Sequence, residues 1–278
     1  MENNIDNPNQ NIASNIPNYI CLSEFRKPLF IKIINSLGLT NGSKGLDAGC
    51  GIGFYTTFLA ELIGEEGIVI GVDLSEDFIS YANKNKRPRV QFEIGNINSL
   101  GYEDNFFDWI WSADTVWPGP KDLGCPNEDP IPIIKDFYRI LKPGGKLFLL
   151  FWSSQKFLPG YPLLEARLNT TSSAIAPFVN GMNPKYHILN AKYWLEKSGF
   201  KDVTAKTFLE DINMPLDENT RKSLNIFFQM LWNQSKNELL ENEWKEFKRL
   251  CNPNSNEHIF NNQHYYGFYS YTLFQGIK

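Results

Sequence analysis

Positions 45–54 read G-L-D-A-G-C-G-I-G-F and hold the residues whose spacing most clearly implies chemistry. Glycines alternate at Gly49, Gly51 and Gly53. With no Cβ in the way the chain can turn tightly there, and a ligand can lie directly on backbone N–H groups at the start of the next helix. The spacing discriminates among ligands. A G-x-G-x-x-G dinucleotide loop needs glycine at 54 or 56, and those positions are Phe54 and Thr56. The G-K-[ST] of a phosphate loop is also missing. Asp47, two residues before the first glycine, sets a negative charge at the ligand's entrance, which suits a cationic group and repels a pyrophosphate. The expected ligand is a small cofactor carrying a positive charge.

Such a loop works only if an ordered scaffold presents it. Apolar runs at 44–48 and 67–72 predict buried strands, and 54–63 between them carries apolar residues at helical spacing. Ser75 can cap a helix to about position 83. Further strands are predicted at 89–94, 106–112 and 146–152. A helix at 131–141 precedes the last of these and ends at Pro143 and Gly144. Strands alternating with helices imply parallel pairing, and L-F-L-L-F at 147–151 is too apolar for a strand with one wet face. The fold class is therefore α/β, a doubly wound, mostly parallel sheet. Beyond 152 the reading gives a short helix at 163–169, a helix at 191–198, a strand at 200–209, one or two helices at 219–248 and an aromatic strand at 265–275.

Composition narrows the function further. The 278 residues include 27 Lys and Arg against 31 Asp and Glu, a net charge of -4, so no basic field exists to bind nucleic acid. Cys21, Cys50, Cys125 and Cys251 form no C-x-x-C pair, which predicts no metal site and fits a reducing cytosol. No apolar run approaches the roughly 20 residues that cross a bilayer. Residues 1–18 are Asn-rich, with neither the basic start nor the apolar stretch of a secretory signal, and read as a mobile arm on a cytoplasmic protein.

The D-x-G-x-G-x-G of 47–53 resembles the first motif of the class I S-adenosylmethionine-dependent methyltransferases, and the resemblance continues in order along the sheet. Asp73, in V-I-G-V-D-L-S, matches the family's acidic residue for the ribose hydroxyls. Asn96 stands where the family usually has Asp against the adenine amino group, and its amide carbonyl can accept the same hydrogen bond. D-N-F-F-D-W-I-W-S at 104–112 and R-I-L-K-P-G-G-K-L at 139–147 resemble the fourth-strand motif and the turn into the fifth strand. The resemblance implies a seven-stranded Rossmann-like sheet and S-adenosylmethionine as cofactor, with S-adenosylhomocysteine as product. Implied contacts are Asp47, Gly49, Cys50, Gly51, Gly53, Asp73, Leu74, Asn96, Ile97 and Ser112, joined by Tyr19 from the segment before the first strand.

Residues 19–278 are then expected to form one methyltransferase domain. Its cofactor core is 44–152, and its substrate segments are 19–38, 153–185 and 211–263. The last of these reads as a helical lid before the final strand. These segments and the fourth-strand loop supply Tyr19, Trp117, Trp152, Phe157, Tyr161, Phe178, Tyr186, Phe227, Phe228 and Trp232, which imply an apolar or aromatic pocket. From this set Trp117, Trp152, Tyr161 and Phe228 are the expected substrate contacts. The segment 112–120 lacks the N-P-P-Y type sequence used on amide or adenine nitrogens, so a small metabolite is the expected acceptor. Asp114 and His187 are the candidates for acid–base or cation-anchoring work. Aminopropyl transfer, for which Asp114 and Asp122 leave room, and a non-catalytic binding module are the competing readings.

Overall fold

Short apolar runs bounded by glycine or a carboxylate become the central strands of a seven-stranded sheet with order β3-β2-β1-β4-β5-β7-β6. The computed structural model describes residues 15–121, 124–175 and 182–278. Phe178, Asp122 and most of the Asn-rich arm lie outside these residues.

In chain order the elements are α1 (Ile16–Asn35), β1 (Lys44–Ala48), α2 (Phe54–Leu62), β2 (Ile68–Asp73), α3 (Glu76–Lys84), β3 (Val90–Ile94) and β4 (Phe107–Ala113). They continue with α4 (Ile131–Ile140), β5 (Leu141–Lys156), α5 (Pro162–Leu168), α6 (Ala191–Lys197), β6 (Lys201–Asn213), α7 (Glu218–Trp232), α8 (Glu241–Cys251) and β7 (Tyr266–Ile277). β1 pairs in parallel with β2 and β4, β2 with β3, and β4 with β5. Backbone bonds between Gly144, Gly145 and Lys278 place the end of β7 beside the start of β5, so these two neighbours run antiparallel.

Two compact units divide the chain. One comprises Met1–Lys27, Ser154–Asn180 and Leu209–Ser270, the other Pro28–Ser153, Gly181–Phe208 and Tyr271–Lys278. The second unit holds the glycine loop and the parallel strands. β1 and β4 are almost wholly buried there, and α4 turns Ile133, Ile134, Phe137 and Ile140 inward as one face. Asp129 starts α4 by accepting the Ile131 N–H at 2.8 Å.

The first unit is built on aromatic packing. Phe228 lies 5.5 Å from Trp232 in a stack and 5.6 Å from Phe260. The Trp232 indole N–H donates to Asn169 Oδ1 at 3.1 Å, so its polar atom is satisfied as the ring is buried. Glu165, buried beside this cluster's helix partners, accepts the Phe157 N–H at 2.6 Å. Trp232 is 0% exposed, and Trp232→Ala is expected to cost about 3–5 kcal/mol in chemical denaturation.

Two sequence expectations change, and one open alternative is settled. α1 begins at Ile16, inside the segment read as a mobile arm, and runs through Pro28. Its buried stripe, Cys21, Leu22, Phe25, Leu29, Phe30, Ile33 and Ile34, has the three-to-four spacing that identifies such a helix. Pro143 and Gly144 do not separate helix from strand, since β5 already starts at Leu141. The register jumps from Phe107↔Leu141 to Trp109↔Lys146, so the extra residues of K-P-G-G bulge out while Lys278, just past β7, pairs with Gly144 and Gly145. The 219–248 segment resolves into two helices, α7 and α8.

Candidate cofactor-binding site

The glycine loop is bent across the end of β2. The N–H groups of Gly49 and Cys50 both donate to Val72 O, at 2.7 and 3.0 Å, and Gly53 N donates to Cys50 O at 3.0 Å. Gly51 N donates to Asp73 Oδ2 at 2.9 Å, while the other carboxylate oxygen accepts Ser75 N at 2.9 Å. Ser75 in turn caps α3 through Phe78 N. One half-buried carboxylate therefore fixes the loop on one side and a helix start on the other. Two of its roughly four acceptor positions remain for a ligand.

Glycine is required at two points of this loop. Gly49 has φ 83° and a Cβ there would enter the Thr115 side chain; Gly53 has φ 74° and a Cβ would enter the Phe92 ring. Gly49→Ala is expected to combine left-handed strain with displacement of Thr115. A fall in thermal midpoint together with at least tenfold weaker cofactor binding, read by calorimetry, would register both effects.

Asp47 is placed differently from the sequence expectation. It is 3% exposed, enclosed beneath the loop rather than standing at an entrance, and accepts a 2.6 Å hydrogen bond from Thr56 Oγ1 in α2. Burial pushes its carboxyl up to about 7, with the Thr56 bond working against the shift and the nearby Asp73 charge adding to it. Cys50 is also buried, and burial with the two carboxylates holds its thiol well above the usual range. The sulfur is therefore a neutral lining group.

Beside Asp73, Leu74 is 68% exposed at the strand end, an apolar face open to a flat ligand, whereas Ile97 is buried. Asn96 departs from its expected task. Its Oδ1 already accepts Asn98 N at 2.9 Å and Asn98 Nδ2 at 3.0 Å, so both lone pairs of the amide oxygen are used inside the loop. Ser112 departs as well. It is 2% exposed and donates to Ala48 O at 2.9 Å, tying β4 to β1.

On the far side of the loop, Thr115 donates to Gly49 O at 3.4 Å, which brings the end of β4 against the first glycine. Asp114, the residue before it, has φ 50°, accepts Trp152 N at 2.9 Å and accepts the Tyr271 hydroxyl at 2.6 Å. Trp117 is half-buried, with its ring edge-on to Phe151 at 5.9 Å. Glycine loop, Asp73, Asp114, Trp117 and Trp152 thus belong to one unit. Tyr271, which sequence reasoning passed over, belongs there too, since one aromatic in a strand rich in them looks like core.

His187 heads a short turn before α6. Its Nδ1 accepts Leu189 N at 3.2 Å as a cap, and burial lowers its pKa. Tyr19, Tyr161 and Phe228 lie in the other unit. Tyr161 accepts from Arg249 at 3.2 Å, and Phe228, at 1% exposure, is core rather than a pocket wall.

Comparison with known proteins places this geometry in a family. A family model described as a methyltransferase domain matches residues 39–225, more than half of the chain. A demethylmenaquinone methyltransferase of Lysinibacillus sphaericus is 35% identical over 43% of the chain and 48% of its own length. Phosphoethanolamine N-methyltransferase 1 of Zea mays is 29% identical over 67% of the chain and 34% of its own length. The chain thus spans half or less of these relatives. Among solved structures, the YcgJ protein of Bacillus subtilis matches with TM-score 0.52 at 16% identity, over 91% of this chain and 98% of that one, a likeness of fold. With the D-x-G-x-G-x-G loop, the acidic end of β2 and the strand order together, the chain belongs to the methyltransferase-domain family, in its class I, S-adenosylmethionine-dependent fold.

Proposed function

We propose that the chain transfers a methyl group from S-adenosylmethionine to an O, N or C atom of a small, largely apolar or aromatic metabolite. The observation that carries this reading is Asp73. Its carboxylate is bound to the glycine loop through Gly51 N and still has acceptor capacity at the carboxyl edge of the sheet, where α/β folds bind ligands. The residues fit the cofactor: Asp73 would hold the ribose hydroxyls, the backbone at 49–53 would receive the amino-acid end, and Leu74 and Ile97 would border the adenine. When bound, the cofactor supplies an electrophilic methyl group on a sulfonium.

Methyl transfer from sulfur is an in-line displacement, so this chain contributes chiefly by orienting the two partners and, where the acceptor is protonated, by receiving its proton. Asp47 beneath the loop lowers the local potential for a cationic ligand. Trp117 and Trp152, beside the end of β4, favour an acceptor with an apolar body. Relatives named for demethylmenaquinone and phosphoethanolamine support a small-molecule acceptor. No helix among the described residues is long and apolar enough to cross a membrane.

Calorimetry with S-adenosylmethionine, S-adenosylhomocysteine and NAD tests the reading. Micromolar binding of the first two with none of the third is expected; NAD binding without the sulfur nucleosides would overturn it.

A further inference from the structure

We propose that the edge of the parallel sheet opposite the glycine loop carries a binding site for a phosphate group, held by Lys146 and Lys142. A cavity of about 190 Å³ opens there between the turn at 38–40, the start of β4 and the K-P-G-G segment. The turn at 38–40 precedes the first residue of β1, whereas the glycine loop follows the last, so the five residues of β1, roughly 16 Å, separate the two. Pockets for drug-sized ligands run from about 300 Å³ upward, so the occupant here is a smaller group.

Charge decides which group. The ionisable residues lining the cavity are Asp108, Lys142 and Lys146. Asp108 is engaged on both oxygens, since Oδ1 accepts the Lys142 ammonium at 2.7 Å and Oδ2 the Lys44 N–H at 2.8 Å. Lys146 is half-buried and has no hydrogen-bond or ion-pair partner among the described residues. An ammonium carries three donors, so Lys146 keeps all of its own and Lys142 keeps two. Two lysines against one aspartate leave the lining with one positive charge in excess, on a chain whose net charge is -4. A partly dehydrated, unpaired cation is costly, and ligand oxygens relieve that cost. Trp109 adds an apolar wall. It is 2% exposed and its indole N–H is spent on Ser43 Oγ at 2.9 Å, so solvent screens the lysines less than on an open surface. At Gly144 nothing lies within 4 Å of where a Cβ would stand, so the turn leaves the opening clear. With more charge and more acceptor oxygens than a carboxylate, a phosphate group is the better match for two ammonium groups.

The test titrates inorganic phosphate and, in parallel, glycerol 3-phosphate into the isotope-labelled full chain at constant ionic strength, followed by amide NMR. Saturable shifts at Gly144, Gly145 and Lys146 are expected, half-complete at or below about 1 mM, with Gly49, Gly51 and Gly53 unmoved. Lys146→Gln should weaken binding about tenfold, whereas Lys146→Arg, which keeps the charge, should retain it within about threefold. Lys192→Gln, at an exposed position of α6, should leave binding unchanged. Tighter binding of the monoester assigns the cavity to a phosphorylated metabolite, and tighter binding of the free ion assigns it to phosphate itself. Shifts that never saturate, shifts confined to the glycine loop, binding that survives Lys146→Gln, or an equal loss in Lys192→Gln overturns the proposal.

Discussion

Asp73→Ala is expected to weaken S-adenosylhomocysteine binding by roughly 10²- to 10⁴-fold. The carboxylate has two intramolecular tasks, accepting Gly51 N and Ser75 N at 2.9 Å each, which leaves acceptor capacity for the ribose hydroxyls of the proposed cofactor. A hydrogen bond to a charged group is worth about 1.5–3 kcal/mol, and two to the ribose account for the range given. Removing the side chain also leaves Gly51 N without a partner and frees the loop from β2. Asp73→Asn separates these contributions in part, because the single amide oxygen keeps an acceptor for Gly51 N while the charge and the acceptor for Ser75 N are lost. An intermediate loss of about tenfold, measured by calorimetry, is expected for it.

Asp47 gives the second large effect, and its sign follows from the direction of the shift. Its carboxyl is raised by burial to about 7 in the folded chain, against 3.8 for the unperturbed group. Between those values the folded state holds a proton that the unfolded state has lost, so the protonated side chain favours folding at low pH. That contribution fades as pH rises through about 7. The gap of about three pH units corresponds to ~4 kcal/mol. Asp47→Asn should therefore raise the thermal midpoint at pH 8 by several degrees and change it little at pH 4. An equal shift at both pH values would contradict the assignment.

The same group couples to the ligand. A cation bound above the loop favours the ionised form of Asp47, so binding near pH 6 should release up to one proton, and affinity should climb by as much as tenfold per pH unit until about pH 7. Calorimetry in buffers of different ionisation enthalpy counts the proton. In Asp47→Asn both the release and the pH slope should vanish.

Much of this was legible in the sequence because the backbone requirements are local. Alternating glycines, a carboxylate closing a β-branched run, and Ser75 before an amphipathic segment each specify a conformation within a few residues. β1 is found at the residues expected of it, and α3 starts from the expected cap. α1 was less visible because Pro28 and the flanking asparagines masked its periodic stripe, although tertiary burial overrides such breakers. The K-P-G-G segment reads as a stop because its backbone partner, Lys278, just past β7, is more than a hundred residues away.

Side-chain roles were harder to read, for a related reason. Phe228, inside a predicted helix, and Trp117, just past a predicted strand, are both aromatic, yet only packing decides that one is 1% exposed core and the other half-buried. Asn96 and Ser112 stand at the expected positions but spend their polar atoms on Asn98 and Ala48. Hydrogen-bond partners across a fold do not announce themselves in spacing. The Asp114–Tyr271 contact joins residues 157 positions apart.

The most direct measurement is a crystal structure of the chain with S-adenosylhomocysteine. Both ribose hydroxyls should lie within hydrogen-bonding distance of the Asp73 carboxylate, with the amino-acid end against the backbone of Gly49 and Gly51. A nucleoside seated elsewhere, or a ribose turned away from Asp73, would contradict the assignment of this loop as a sulfonium-nucleoside cradle.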